Sequence, residues 1–561
     1  MEEDVSLPME GIFKLYRQGR DPCRVRIDEN GLTLSIGGHN EERKEEVKAS
    51  DLVGCVCMKA PPEEVQAYSA FFTVFAYPLY DKKRKRRALC FQVTQEDNFE
   101  GNFEIAMKWR TAIHQARRKH GVSEPHLDYN QKLLVLINPN SGSGKALQKY
   151  KRYVAAVFGE AEVQHKVIVT ERANHAKEIV TKLDLTSCSG LVIISGDGLL
   201  YEVYNGLLKR PDWEQAIQFP VGIIPGGSGN GLARSIAHWL SEPYMASPVL
   251  VSTLNIVHGH FSPMDLVLLE TAAGKRLLSF LSVGFGIISD IDIESERLRI
   301  IGESRFAVWA VARVANLRRY HARIYFKRAT SVSTTSGQRR RKPVLERSQT
   351  LEEDLKGSQA SSTIHSSRSV RSVDLQDSEL SDSFLDPSLS LVKDEPLQPD
   401  HSCDNLGENI SSEDKRNNLE AKLSDEEEVD NCERSCFTIP PLDQKVPEDW
   451  EIMEDHFIMM YGTYQSYIAS DVFISPDSTP DDGCIYLIII KGNTPKSTIA
   501  RLLLGIDGSH LNLPGVEYIP VEALRIEPLC PKGNMTVDGE VVPWASLQCE
   551  VLAKKGCILT R

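Results

Sequence analysis

From about residue 130 to 240, strand-like and helix-like runs alternate: "KLLVLINP", "ALQKYKRYVAAVFG", "HKVIVTE", "NHAKEIVTKL", "GLVIIS", "LLYEVYNGLLKR", "VGIIPGG" and "ARSIAHWL". Apolar runs of strand length separated by helical periodicity predict a mostly parallel sheet covered by helices on both faces. Three loops that follow strands are rich in glycine: "NPNSGSGK" (138–145), "SGDG" (195–198) and "PGGSGN" (225–230). In a parallel sheet the C-terminal strand ends face one crevice, so these loops are expected to converge there. Glycine lets the backbone approach phosphate, and the amides that open each helix point toward an anion. The pattern predicts a nucleotide site. It is not a P-loop, because GxxxxGK[ST] would need glycine at Pro139 and a hydroxyl at Ala146. Nor is an acidic residue placed for the ribose of a dinucleotide fingerprint.

A chain of 561 residues has room for two or three domains. Residues 1–122 carry short β-type runs ("GIFKLY", "CRVRID", "LTLSIG", "AFFTVFAYPLY") and end in "FEGNFEIAMKWRTAIHQARRKH", which has helical periodicity. They predict a small β-domain with a C-terminal helix. Residues 130–255 are the α/β nucleotide-binding domain. Residues 256–328 and 437–561 are again strand-rich ("MDLVLLE", "GCIYLIIIKG", "YIPVEALRIEPL", "MTVDGEVV") and predict a second, β-rich domain. Between them, 329–436 is dominated by Ser, Asp, Glu and Pro, too poor in apolar residues to offset the entropy of ordering, and reads as a disordered insertion. The fold class expected is α/β: a three-layer parallel-sheet nucleotide-binding domain and a β-rich domain, preceded by the small β-domain.

A net charge of −13 argues against a nucleic-acid-binding role. Twelve cysteines without a CxxC pair read as reduced thiols, the start of the chain lacks the pattern of a signal peptide, and no apolar run reaches the roughly 20 residues that span a bilayer. The expectation is a cytoplasmic protein that reaches membranes peripherally and reversibly.

Asp197 lies between two glycines of "SGDG", an anion inside a loop suited to phosphate. From the residues alone it reads equally as an N-cap of the following helix or as a general base. Taken together, "INPNSGSGKA", "TERANHAKEIV", "SGDGLLYEVYNGLLKRPDWEQAI", "VGIIPGGSGNGLA", "SFLSVGFGIISDIDIESERLRIIGESRF" and "VDGE" resemble the sphingosine kinases, within the wider diacylglycerol kinase-like group. The likeness covers about 130–328 and 445–545. "GDG" and "GGSGN" are shared with diacylglycerol and ceramide kinases; "RPDWEQAI" and "SDIDIESERLR" narrow it to sphingoid bases, and the β-rich domain becomes the lipid-binding one.

The resemblance implies transfer of the ATP γ-phosphoryl group, with magnesium, to the primary hydroxyl of sphingosine or a related sphingoid base, giving sphingosine 1-phosphate. Ceramide or diacylglycerol kinase, or an inactive membrane scaffold, are the alternatives. Asp197 then corresponds to the catalytic base. The nucleotide pattern falls on Asn138, Thr170, Ser195, Gly196, Gly198, Gly227, Ser228, Gly539 and Glu540, with Arg299 and Arg305 as phosphate-binding arginines. Without the family, Asn138, Thr170 and Ser195 read as turn or cap residues and the arginines as solvated surface. Asn140 and Ala173 stand where some members carry arginine. Asp292 matches the carboxylate that recognises the sphingoid amine; a ladder of Asp292, Glu296 and Arg299 on one helix face is the structural alternative. Ser282, Phe306 and His510 fall on pocket positions. No magnesium ligand is identified.

"RFAVWAVARVANLRRYHAR" offers an apolar face followed by Arg318, Arg319 and Arg323, compatible with an interfacial helix or with burial in the core. Every residue from Lys82 to Arg87 is basic, at an expected hairpin tip in a domain that resembles a pleckstrin-homology domain. The tip suits anionic lipid, a solvated turn or nuclear import, the last also open to "RRRK" (339–342). "RSQT" (347–350) and "LSDEEE" (423–428) resemble kinase substrate sites.

Overall fold

The computed structural model describes residues 5–16, 22–36, 43–59, 68–119, 127–128, 131–295, 304–330 and 437–561. The insertion expected at 329–436, apart from Ala329 and Thr330, lies outside the described residues, and with it "RRRK", "RSQT" and "LSDEEE".

The first strands are β1 (Met9–Leu15), β2 (Pro22–Asp28), β3 (Gly31–Ile36), β4 (Arg43–Lys48), β5 (Leu52–Lys59), β6 (Ala70–Ala76), β7 (Leu79–Tyr80), β8 (Lys83–Arg84) and β9 (Arg87–Val93), followed by helix α1 (Phe99–Lys119). Seven of them form an antiparallel sheet in the order β4-β3-β2-β1-β9-β6-β5. Alternation sets its faces: in β2, Cys23, Val25 and Ile27 are buried while Arg24 and Arg26 are exposed. Helix α1 closes the core with Ala106, Trp109, Ala112, Ile113 and Ala116, at helical spacing. Trp109 stacks on Phe72 at 5.6 Å and meets Phe13 edge-on at 5.1 Å.

The hairpin β7–β8 turns at Asp81 and Lys82, both with positive φ. It bends the basic run back onto the protein. Arg84 reaches Asp51 at 2.7 Å and Glu242 at 2.6 Å, Arg86 reaches Glu160 at 2.5 Å and Arg87 reaches Glu45 at 2.5 Å. Of the expected lipid-facing cluster Lys82 to Arg87, the three arginines are therefore held by carboxylates of the protein. Val53 and Tyr77 of the same domain join the apolar core on one face of the next sheet.

That sheet is built from β10 (Leu133–Ile137), β11 (His165–Val169), β12 (Gly190–Ser195) and β13 (Val221–Pro225), with helices α2 (Ala146–Lys149), α3 (Ala155–Glu160), α4 (His175–Lys182), α5 (Asp197–Leu208), α6 (Trp213–Ala216), α7 (Gly231–Trp239) and α8 (Pro248–His258). The strands are parallel in the order β11-β10-β12-β13. Successive residues face opposite layers: Leu191 and Ile193 pack with α4, α5 and α7, whereas Val192 and Ile194 pack with α3 and α8. Three layers result, the α/β arrangement expected.

The remaining elements are β14 (His260–Thr271), β15 (Arg276–Ser279), β16 (Ser282–Gly286), α9 (Ile287–Ser295), α10 (Ser304–Ala315), β17 (Tyr320–Arg328), β18 (Glu451–Thr463), β19 (Tyr467–Ala469), β20 (Val472–Phe473), β21 (Ile485–Lys491), α11 (Lys496–Leu504), β22 (Val516–Pro528), β23 (Met535–Val537), β24 (Glu540–Val542) and β25 (Leu547–Thr560). Apart from the small pair β19–β20, these strands join the parallel ones in one sheet, because β25 lies parallel to β13 at Val221 and Ile558 and antiparallel to β14 and β22. The chain flanking the insertion is fastened to two neighbouring strands. Thr330 donates from N and Oγ1 to Glu522 on β22, and Thr438 donates from N to Glu550 on β25.

Candidate active site

All four parallel strands end at the same edge, and the glycine loops leave from it. Gly226 N donates to Ser195 O at 2.8 Å, and Gly196 N donates to Ser141 Oγ at 2.9 Å. The loops touch backbone to backbone. A Cβ on Gly227 would lie 2.4 Å from Gly196 Cα, and one on Gly142, which has φ +55°, would lie 3.0 Å from Gly226 O. Glycine is required here for close approach, and loops packed this closely, without side chains between them, leave backbone rather than side chains lining the crevice, a cradle that suits phosphate. Asn230, at φ 59°, clamps the third loop by accepting from Gly227 N and donating to Gly227 O. Asn138 accepts from Asn140 N and Thr170 donates to Ile137 O, so in this structure both side chains serve turns beside the cradle. Ser195 is buried at the end of β12, while Gly196, Gly198, Gly227 and Ser228 are half-buried along the loops.

Asp197 is the first residue of α5 and does not cap it; its carboxylate turns toward α7. Oδ2 accepts from Gly231 N at 2.8 Å, and Oδ1 is buried without a hydrogen-bond partner. Burial raises the pKa to about 6 against the opposing pull of the Gly231, Leu232 and Asn230 amides. One oxygen is thus held and the other is available to a proton donor, such as a hydroxyl, that enters the crevice.

Helix α7 is also fixed from the β-rich side. Ser470 N donates to Gly229 O at 2.9 Å, Tyr467 N donates to Ser235 Oγ at 2.9 Å, and the Arg234 guanidinium lies 4.4 Å above the Tyr467 ring. The turn between β23 and β24 comes in from the same half. Asp538 (φ 52°) and Gly539 (φ +83°) form a two-residue reversal of the Asp-Gly type. Glu540 Oε1 stands 3.3 Å from where a Cβ on Gly198 would be, and Asp292 Oδ2 stands 3.3 Å from a Cβ on Gly539. The turn therefore links the cradle to α9. Asp538 itself is buried and accepts from Ser279 Oγ and from the amides of Phe280, Leu281 and Ser282. Desolvation raises its pKa to about 7.

Ser282 Oγ lies 2.8 Å from Tyr461 OH, both buried. His510 is buried some way along the β-rich half; its Nδ1 accepts from Gly508 N and burial lowers its pKa. Glu296 and Arg299 lie outside the described residues, so the ladder with Asp292 has no structural counterpart to report. Of Arg305 and Phe306 only the α10 backbone is described. The three other arginines are engaged within the protein: Arg318 with Asp290 and Glu294, Arg319 with Gly492 O, and Arg323 with Glu454.

Residues 132–269 match the diacylglycerol kinase catalytic domain family. Over 92% of its length the chain is similar to sphingosine kinase 2 of Homo sapiens, with 32% identity and 85% of that protein covered. It belongs to the sphingosine kinase family. Sphingosine kinase 1 of Mus musculus is 31% identical over 75% of this chain and 88% of its own, and sphingoid long chain base kinase 5 of Saccharomyces cerevisiae is 28% identical over 76% of this chain and 58% of its own.

Sequence reasoning missed several residues that the structure brings to this crevice and its flank: Ser141, Asn230, Tyr461 and Asp538. Asn230 and Asp538 carried a usable signal, since Asn and Asp beside glycine favour positive φ. Tyr461 carried none, because its partner Ser282 is 179 residues away.

Proposed function

We propose that the protein is an ATP-dependent sphingoid base kinase that phosphorylates the primary hydroxyl of sphingosine. Family membership supports the reaction class, and the carboxylate of Asp197, one oxygen tied to Gly231 and the other unpartnered at the rim of a glycine cradle, supports the mechanism. The glycine loops around Gly142, Gly196 and Gly227 make room for the ATP phosphates, with Asn138, Thr170, Ser195, Gly198 and Ser228 shaping the walls and Arg299 and Arg305 supplying positive charge. Asp197 takes the proton of the acceptor hydroxyl as the hydroxyl oxygen bonds to the γ-phosphorus and the bond from that phosphorus to the β–γ bridging oxygen breaks, releasing ADP. A pKa near 6 leaves the carboxylate ionised at neutral pH yet more basic than a solvated aspartate.

Asp292, beside Gly539, pairs with the ammonium of the acceptor, which in an apolar pocket needs an anion. Neither ceramide nor diacylglycerol brings a cation, so this carboxylate discriminates between acceptors. By the family pattern Ser282 and His510 belong to the acceptor pocket, with Phe306 as a further position of that pattern. Magnesium arrives with ATP. Glu540, with Oε1 3.3 Å from a Cβ placed on Gly198, would help hold that ion, which would offset charge on the transferring phosphoryl group.

The acceptor is a membrane lipid, and the protein meets the bilayer peripherally. Among the described residues no helix is long and apolar enough to cross a membrane. Val311 on α10 (71% exposed) and Leu504 on α11 (86% exposed) support contact on that side. The strand order of the first domain and its closing helix support a pleckstrin-homology-like module, with Lys82, Lys83 and Lys85 as the part of the basic hairpin suited to anionic lipid.

Labelled ATP with magnesium and sphingosine, ceramide or diacylglycerol tests the reading. Label in sphingosine is expected; label in ceramide or diacylglycerol with sphingosine untouched would contradict it.

A further inference from the structure

Ser282, Gly284 and Tyr461 meet on one face of the sheet. Strands β16 and β18 pair antiparallel with Gly284 opposite Tyr461 and Ser282 opposite Thr463, so these side chains share a face. A Cβ on Gly284 would come within 2.8 Å of Tyr461 Cδ2. The ring lies across β16 only because glycine leaves the space, and it carries its hydroxyl to 2.8 Å from Ser282 Oγ. Tyr461 is 6% exposed and Ser282 2%.

Two hydroxyls hold two donors and several acceptor sites, and their mutual bond uses one donor and one acceptor. Neither side chain has another hydrogen bond among the described residues. The pair is tied to the turn that carries Gly539: the Ser282 amide donates to Asp538 at 2.9 Å, and Asp292 Oδ2 stands 3.3 Å from a Cβ placed on Gly539. An amino alcohol with its primary hydroxyl at Asp197 and its ammonium at Asp292 brings its secondary hydroxyl, on the carbon next to the amine, into this space. Buried without a partner, that hydroxyl would oppose binding; the remaining donor and acceptors of the pair match it.

We propose that Tyr461, laid across Gly284 and paired with Ser282, makes the pocket selective for acceptors that carry a secondary hydroxyl beside the amine. The inference rests on the sphingoid base reading and names a specificity-determining residue within it.

The test compares sphinganine with 3-deoxysphinganine, which keeps the primary hydroxyl and the ammonium, on the full-length protein, Tyr461→Phe and Ser282→Ala. The unaltered protein is expected to favour sphinganine by about tenfold in kcat/KM, the scale of one neutral hydrogen bond. Each variant is expected to bring that preference to about twofold or less, through slower use of sphinganine alone and with KM for ATP unchanged. A variant pair that slows both acceptors equally and keeps the tenfold preference has only a structural effect and overturns the proposal. So does an unaltered protein without preference. Ser282→Ala leaves the ring in place, so the question is answered even where Tyr461→Phe folds poorly. Failure of the underlying reading looks different: the unaltered protein would phosphorylate neither amino alcohol while labelling ceramide or diacylglycerol, and both inferences would fall.

Discussion

The Gly231 amide donates to Asp197 Oδ2 at 2.8 Å, so the first turn of α7 orients the carboxylate that begins α5. Two helices that follow different strands are coupled at one carboxylate. The same contact leaves Oδ1 without a partner, which separates the holding oxygen from the reacting one.

Because burial raises the Asp197 pKa to about 6, the working base is lost when it is protonated, that is, as pH falls. The acidic limb of kcat/KM against pH for sphingosine should break near 6 and then fall about tenfold per pH unit. A break near 4, the range of a solvated carboxylate, would separate this limb from Asp197.

Gly227→Ala places a methyl group 2.4 Å from Gly196 Cα, a backbone atom that cannot rotate away. The second and third loops must part. KM for ATP should rise more than tenfold, and overpacking of this kind typically costs about 1 to 3 kcal/mol of stability. Nucleotide titration and urea unfolding of the purified variant measure both, and an unchanged KM would show that the contact between the loops does not form the phosphate cradle.

Arg84, held by Asp51 within the first domain, joins that domain to the α/β domain through a two-pronged contact with Glu242, at 2.9 and 2.6 Å. Arg561 shares Asp51 at 2.7 Å. Truncation to alanine leaves two part-buried carboxylates with one guanidinium between them and should lower the unfolding free energy by about 1 to 3 kcal/mol. Arg84→Lys should rescue only part, because an ammonium cannot make the paired contact. A fully stable alanine variant would mean that this clasp does not hold the domains.

How much of this was legible in the sequence depended on how local each feature is. The parallel strands and the glycine loops could be read because each is encoded within a few residues, as "GLVIISGDG" shows. Asp197 could be found but not aimed, since the residue that turns it, Gly231, is 34 positions away. The basic run from Lys82 to Arg87 was visible as charge, but the carboxylates that hold Arg84 and Arg86, Glu242 and Glu160, belong to a different domain. Tyr461 was hidden for a stronger reason: its place above Gly284 depends on the register of β16 against β18, and a shift of one residue would send the ring to the opposite face. The joining of both halves into one sheet through β25 likewise follows from strand pairing that no local pattern encodes.

The most direct measurement is the rate of phosphoryl transfer from ATP to sphingosine by Asp197→Asn beside the unaltered protein, with ATP affinity measured on the same samples. Asparagine keeps the shape, and its carbonyl still accepts from Gly231, but it cannot take the proton. The rate should fall by a factor on the order of 10² to 10⁴ while ATP affinity changes less than threefold. Full activity in Asp197→Asn would contradict the assignment of Asp197 as the base of a sphingoid base kinase.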